Sequence, residues 1–267
     1  MKKHRARRLI CGILAFAAIA AVILSIWAYR NTFAYSNLMD EEGRNEALSL
    51  LNGQNIPKEN IDLFFQLVDE FNSVPYHGIV EHGFKRAAIP FFSYNNENGY
   101  AHLNAQESDN IISCRAAAFV LLKDCITFED TGIVPEEQKC DFPLSETDLE
   151  NYSLLFANIK YDGDASSETL AEQLLSYWKQ AGISFPENGI QLVTAYGAVS
   201  NVFQNFHTAA AMYTDECVWL IEKSDPIHPY QLSRFRTQEQ MVDYMKKRVS
   251  EAVRAAVFSG DVCLWTK

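Results

Sequence analysis

FHTAAAMYTDECVWLIEK, residues 206–223, carries no helical period, and its reading decides the fold class. Small, β-branched and aromatic side chains flank a polar tetrad, which is the signature of strand, turn and strand. QLVTAYGAV (191–199) just before it reads the same way, so 191–199, 203–213 and 217–223 are predicted strands. Upstream the period is helical. Helices are predicted over about 40–51, and after Pro57 with Ile61, Phe64, Phe65, Val68 and Phe71 on one face. Further helices are predicted over 112–126, from SETD (145–148) to about 158, and from Ser166 or Ser167 to Gly182. TQEQ at 237 opens a long terminal helix, and DVCLW near the end reads as a last strand. The order predicts an α+β fold, with helices packed on an antiparallel sheet.

The hairpin also carries the chemistry. With a two-residue turn at Thr214-Asp215, His207 falls opposite Glu222, Ala209 opposite Leu220 and Ala211 opposite Val218. Opposite residues share a face, with Cβ atoms about 4.5–5.5 Å apart. Ala209 and Ala211 would then let a helix pack close. A four-residue turn would instead set Ser224 opposite His207.

The helix in question begins at Cys114, in NIISCRAAAFV (110–120). A thiol in the first turn of a helix meets unpaired N–H groups and the positive end of the dipole, and Arg115 adds charge. The competing reading is a core cysteine packed under the sheet, because buried cysteine is common. Cys114 as nucleophile, His207 as base and Glu222 as the group that orients the imidazole form the candidate catalytic set. Asn205, two residues before His207, is a rival orienter. Asn110 and Gln106 are candidate oxyanion donors, with capping and loop duty as their ordinary alternatives. Tyr230 and Phe235, in the proline-bearing stretch 222–235, are candidate substrate-cleft residues, and His228 between two prolines is expected to be exposed. Residues 74–110 read as loop with short strands, and His77, His82 and His102 there read as surface or structural histidines.

The N-terminus speaks of location. MKKHRARR (1–8) is basic, and residues 9–29 carry no charge. About twenty helical residues span a hydrocarbon core of roughly 30 Å. Trp27 and Tyr29 suit the far interface, and no small-x-small cleavage site follows. An uncleaved signal anchor is predicted over a removed signal peptide. The basic end stays cytoplasmic, 30–37 is a spacer, and 38–267 is a single extracytoplasmic domain with a small helical unit at 38–73. The chain holds 23 basic and 34 acidic residues. Six of the basic ones lie in residues 1–30, so the body has 17 against 34. Nucleic acid is therefore excluded as a partner. The five body cysteines (114, 125, 140, 217, 263) lack zinc spacing, so no metal and no cofactor is expected. Five is odd, so at least one thiol stays unpaired.

The order of a cysteine at a helix start, a histidine on a strand and a polar residue on the next strand resembles the NlpC/P60 and CHAP papain-like amidases, although no DCSGF-type or HVGIY motif is present. YSNL (35–38), SCRAAAFVLLKD (113–124) and 206–235 resemble more closely a domain-of-unknown-function family (DUF4300-like) of Gram-positive surface proteins. That resemblance implies a surface location and a Cys-His core. The expected function is a membrane-anchored extracytoplasmic cysteine amidase or peptidase, acting on an envelope amide such as a peptidoglycan stem peptide. The alternative is a non-catalytic module on a degenerate papain-like fold, binding a peptide or protein partner through the aromatic-rich loop 91–100.

Overall fold

The computed structural model describes residues 2–74, 80–105, 112–250 and 253–267. Helix α1 (Lys2–Asn31) leads directly into strand β1 (Thr32–Ser36). Then come α2 (Glu41–Asn52), α3 (Lys58–Asn72), β2 (Lys85–Ala88), α4 (Asn96–Ala105) and α5 (Cys114–Leu122). The middle of the chain supplies β3 (Thr127–Phe128), α6 (Glu146–Leu155), β4 (Ile159–Lys160), α7 (Ser167–Gln180) and β5 (Ile183–Ser184). The last part is β6 (Ile190–Val199), β7 (Val202–Tyr213), β8 (Val218–Lys223), β9 (Tyr230–Phe235), α8 (Gln238–Lys246), β10 (Ala255–Ser259) and β11 (Val262–Thr266).

The protein is α+β, built on one large antiparallel sheet in the order β11-β10-β6-β7-β8-β9-β1-β2, with β4 added beside β7. Side chains alternate across it. One face carries Leu192, Tyr196, Phe203, Ala210, Met212 and Ile221, and packs against α2, α3, α5, α6 and α7. The other carries Val193, Ala195, Ala209, Ala211 and Leu220, and packs against α8 and the aromatic residues Phe33 and Phe235. Helix α5 is buried at every position from Ala116 to Leu122, which explains its unbroken apolar run. It lies between α3 and the centre of the sheet.

Local chemistry sets the helix starts. Ser113, Ser145, Ser166 and Thr237 each accept a hydrogen bond from the N–H three residues on. Such a cap stabilises a helix by about 1 kcal/mol.

Several expectations are corrected. The supposed spacer 30–37 holds β1, which lies inside the sheet between β9 and β2. Its partners are far away in the chain, so no local signal reveals it. The stretch 74–110 has a short strand, β2, as expected, but also the helix α4, and the proline-bearing stretch 222–235 ends in β9. The long terminal helix is nine residues, followed by β10. The β7–β8 ladder pairs Ala211 with Leu220 and Tyr213 with Val218, the four-residue-turn register. Because the shift is an even number of residues, the faces are unchanged. Ala209 and Ala211 pack under α8 rather than α5.

Helix α1 is long and apolar enough to cross a membrane, and its window from Ile13 to Asn31 is not buried against the body. Phe16, Ile19, Val22, Ile23 and Leu24 are all exposed. An N-terminal apolar helix of this kind fits a signal sequence or an anchor.

Candidate functional site

Cys114 is the first residue of α5, and Ser113 rather than Asn110 caps the helix, its Oγ accepting from the Ala116 N–H at 3.4 Å. Gln106 and Asn110 lie outside the described residues. The half-buried thiol meets the imidazole of His207 and the N–H of Thr208 on β7. Burial pushes the thiol pKa up. The charge and hydrogen bond of His207, the Thr208 N–H and Arg115 more than reverse this, so it ends below the ordinary thiol value. Cys125, Cys140 and Cys263 are shifted the opposite way, each pushed up by burial. All five body cysteines are free thiols.

His207 sits where the sheet is opened twice. The β7–β8 ladder stops at the pair Ala210–Ile221, so residues 207–209 lie beyond it. On its other side β7 is bulged against β6: Ala195 pairs with His207, but Tyr196 pairs with Asn205, leaving Phe206 as the extra residue. The imidazole is consequently reached from both layers, by the thiol of α5 and by groups held by α8. Its Nε2 is hydrogen-bonded to Glu222 Oε2. Both side chains are sealed, with residue exposures of 2% and 1%.

The second oxygen of Glu222 is occupied by donors only. Oε1 accepts from the Tyr244 hydroxyl and from Gln231 Nε2 at 3.4 Å, and Arg248 Nη2 lies 3.6 Å away. Arg248 also donates to the Tyr244 hydroxyl, and Tyr94 donates to Gln231 Oε1 at 2.5 Å. Burial would raise the Glu222 carboxyl, but His207, Arg248 and the Tyr244 hydroxyl pull it below the usual range. Burial alone would lower His207, but Glu222 and the thiol push it up to about 9. The shifts of Cys114, His207 and Glu222 all run toward their charged forms, and the His207 Nε2 is taken by the Glu222 carboxylate.

Residues 34–256 match the family described as Domain of unknown function (DUF4300). The chain belongs to the DUF4300 family. The match includes Cys114, His207 and Glu222, as well as the last three residues of β1, all of β2 through β9, and α8. No curated protein and no solved structure matches the chain.

The structure therefore brings Cys114, His207 and Glu222 together and separates other candidates from them. Asn205 is turned to the opposite face by the bulge, where it donates to Thr194 Oγ1 and Thr208 Oγ1. Tyr230 and Phe235 are 1% and 0% exposed, so neither lines an open cleft. Tyr230 packs edge-on against Phe64 at 5.3 Å, and Phe235 stacks on Phe33 at 5.1 Å. His228 is buried rather than exposed, bonded to Asp225 and stacked on Tyr94. Lys223 alternates away from Glu222 and donates to the His228 carbonyl, with its ammonium 3.4 Å from the Phe71 ring centre. Sequence reading missed Gln231, Tyr244 and Arg248. The spacing of four between Tyr244 and Arg248 was the available signal, since the predicted long helix would put both on one face; in the structure Arg248 lies in the turn just after α8.

A cavity of about 200 Å³ on the α8 side is lined by Tyr94, His228, Tyr244 and Arg248, and so touches the far end of this network. Cys114 and His207 do not line it.

Proposed function

We propose that this protein is a membrane-anchored extracytoplasmic cysteine hydrolase of amide bonds. Cys114 is its nucleophile, His207 its acid and base, and Glu222 the orienting carboxylate. The observation that carries the reading is a thiol at a helix start that meets an imidazole whose Nε2 a buried carboxylate holds. A core cysteine has no use for a charged partner at that depth.

In the reaction the Cys114 thiolate attacks the amide carbonyl carbon. A C–S bond forms, and the carbonyl electron pair moves to oxygen, facing the N–H of Cys114. The C–N bond then breaks as the His207 imidazolium gives its proton to the departing amine. Water attacks the resulting thioester, His207 takes the proton from it, and the C–S bond breaks to release a carboxylic acid and restore thiolate and imidazolium. Glu222 stays ionised throughout and fixes the tautomer. A thiol helix central to an antiparallel sheet, with the imidazole on one strand and the carboxylate on the next, supports a papain-like topology. Location at the envelope makes a peptidoglycan stem peptide the favoured substrate class. The basic N-terminal tail and apolar helix support an anchor with the body outside.

The test is labelling of the full chain with a thiol-reactive amidase probe. Cys114→Ala abolishes labelling while circular dichroism stays that of the parent. Equal labelling of parent and variant sinks the assignment. A second reading, a peptide-binding module, draws on the α8-side cavity lying away from the thiol. It requires Cys114 to be inert at neutral pH, which the same labelling decides.

A further inference from the structure

YSNL (35–38) and FFSYN (91–95) meet through one buried amide. Asn37, 0% exposed, donates through Nδ2 to the Tyr94 hydroxyl at 2.7 Å, and its Oδ1 accepts from the Glu81 N–H at 3.1 Å. Tyr35, two residues earlier on β1, donates from its hydroxyl to Glu81 Oε2 at 2.9 Å. Beside these groups lies a cavity of about 300 Å³, whose lining includes Tyr35, Glu81, Phe91, Phe92, Tyr94 and Asn95. Ligand clefts run from about 300 to 1,000 Å³, so an occupant here is small.

The lining offers one kind of chemistry. Phe92 packs against Tyr35 at 5.0 Å and against Tyr94 at 5.2 Å, and Phe91 is 77% exposed. Both tyrosine hydroxyls are engaged, one by Glu81 and the other by Asn37 and Gln231. What the tyrosines can offer an occupant is therefore ring surface. The face of an aromatic ring is the negative part of its quadrupole and attracts a cation. Glu81 adds a carboxylate. The Tyr35 hydroxyl uses its Oε2, and among the described residues Oε1 has no hydrogen-bond donor and no basic side chain pairs with the group. No basic side chain among the described residues lines the cavity. A body with 17 basic against 34 acidic residues draws cations to its surface.

We infer that this cavity binds a small organic ammonium ion, held against the rings of Tyr35, Phe91, Phe92 and Tyr94 and paired with Oε1 of Glu81. The inference rests on neither the hydrolase reading nor the anchored one. A quaternary ammonium and a protonated primary amine share this chemistry, and the experiment separates them.

Tetramethylammonium, butylammonium and tert-butanol, a neutral molecule of similar shape, are titrated into the full chain. The chain is held in a maltoside detergent, whose headgroup has no ammonium, and NMR shifts of the Glu81 and Ser93 amides report binding. At least one ammonium ion is expected to saturate these shifts at a dissociation constant of about 1–10 mM, with tert-butanol at least about tenfold weaker. Tighter tetramethylammonium assigns the quaternary class, and tighter butylammonium assigns a primary amine such as a lysine side chain. Glu81→Gln, at an exposed position, is expected to weaken binding about three- to tenfold. Phe91→Leu, which keeps apolar bulk without a ring, is expected to weaken it about threefold. The proposal is overturned by no saturable shift for either ion up to about 50 mM, by tert-butanol binding equally well, or by Glu81→Gln matching the parent.

Discussion

Glu222→Gln is the most informative single change, because the surroundings dictate how the substituted amide must sit. Glu222 Oε1 faces donors: the Tyr244 hydroxyl, Gln231 Nε2 and the Arg248 guanidinium. An amide NH₂ turned that way would meet donors head-on, so its oxygen stays there and its NH₂ takes the place of Oε2 at His207. It then donates to Nε2, which must be unprotonated, and the ring proton moves to Nδ1, facing sulfur. The imidazole can no longer take the thiol proton. The magnitude follows from the native shift. His207 rises from 6.5 to about 9 against the opposing effect of burial. At 1.36 kcal/mol per decade that is about 3 kcal/mol, on the order of a few hundredfold. The thiol is a second contributor to that rise, so the expected loss of Cys114 alkylation rate at pH 7 is about 30- to 300-fold, with the pH midpoint of alkylation moved upward. The assay is time-resolved iodoacetamide labelling across pH, with the Cys114 peptide quantified by mass spectrometry. A folded variant with unchanged rate and midpoint refutes the reasoning and leaves Glu222 a structural anion.

Stability should follow the same charges. The His207 contribution is fully present below 6.5 and is lost as pH rises through about 9, whereas the Glu222 contribution is present above 4.5 and is lost as pH falls through its depressed folded value. The thermal midpoint of the parent should therefore exceed that of His207→Gln most clearly between those limits, and a flat difference across the range contradicts the ion pair. Gly182→Ala should cost about 2–3 kcal/mol in denaturant melts, since φ is +68° and the added Cβ would lie 2.8 Å from the Glu129 carbonyl oxygen. Gly163→Ala, at φ +69° with nothing within 4 Å, should cost only about 1 kcal/mol. Equal costs would show that the close approach at Glu129 relaxes freely.

What the sequence discloses depends on the range of the interaction that fixes it. Ser113, Ser145, Ser166 and Thr237 announce helices because the bond they make is three residues away. The hairpin was legible because its strands touch through one turn. Its register was ambiguous by two residues, yet parity kept His207 and Glu222 on one face. Strand β1 escaped because its partners β2 and β9 are remote, β10 because residues such as Ala255 and Ala256 carry no period, and β9, although it pairs with the neighbouring β8, because Pro226 and Pro229 just before it read as loop. Helix α4 escaped because NENGYAHLNA is polar and glycine-bearing. The bulge at Phe206 leaves no mark in the sequence, and it alone decides that Asn205 faces away from the imidazole. Tyr230 and Phe235 were misplaced because aromatic side chains near prolines suit a cleft and a strand core equally well until the neighbouring strands are known.

The join between α1 and β1 governs how a soluble version of this protein can be made. Truncation after residue 37 follows from reading 30–37 as a spacer, yet it would delete a middle strand, strip the backbone partners from β9 and β2, and unstack Phe33 from Phe235. The exposed ribbon would then be free to recruit the same ribbon of another molecule, the usual start of aggregation. A workable excision has to begin between the last turn of the apolar helix and Thr32, and it must supply new hydrogen-bonding company for Arg236 and Gln240, which donate to the Tyr29 and Arg30 carbonyls.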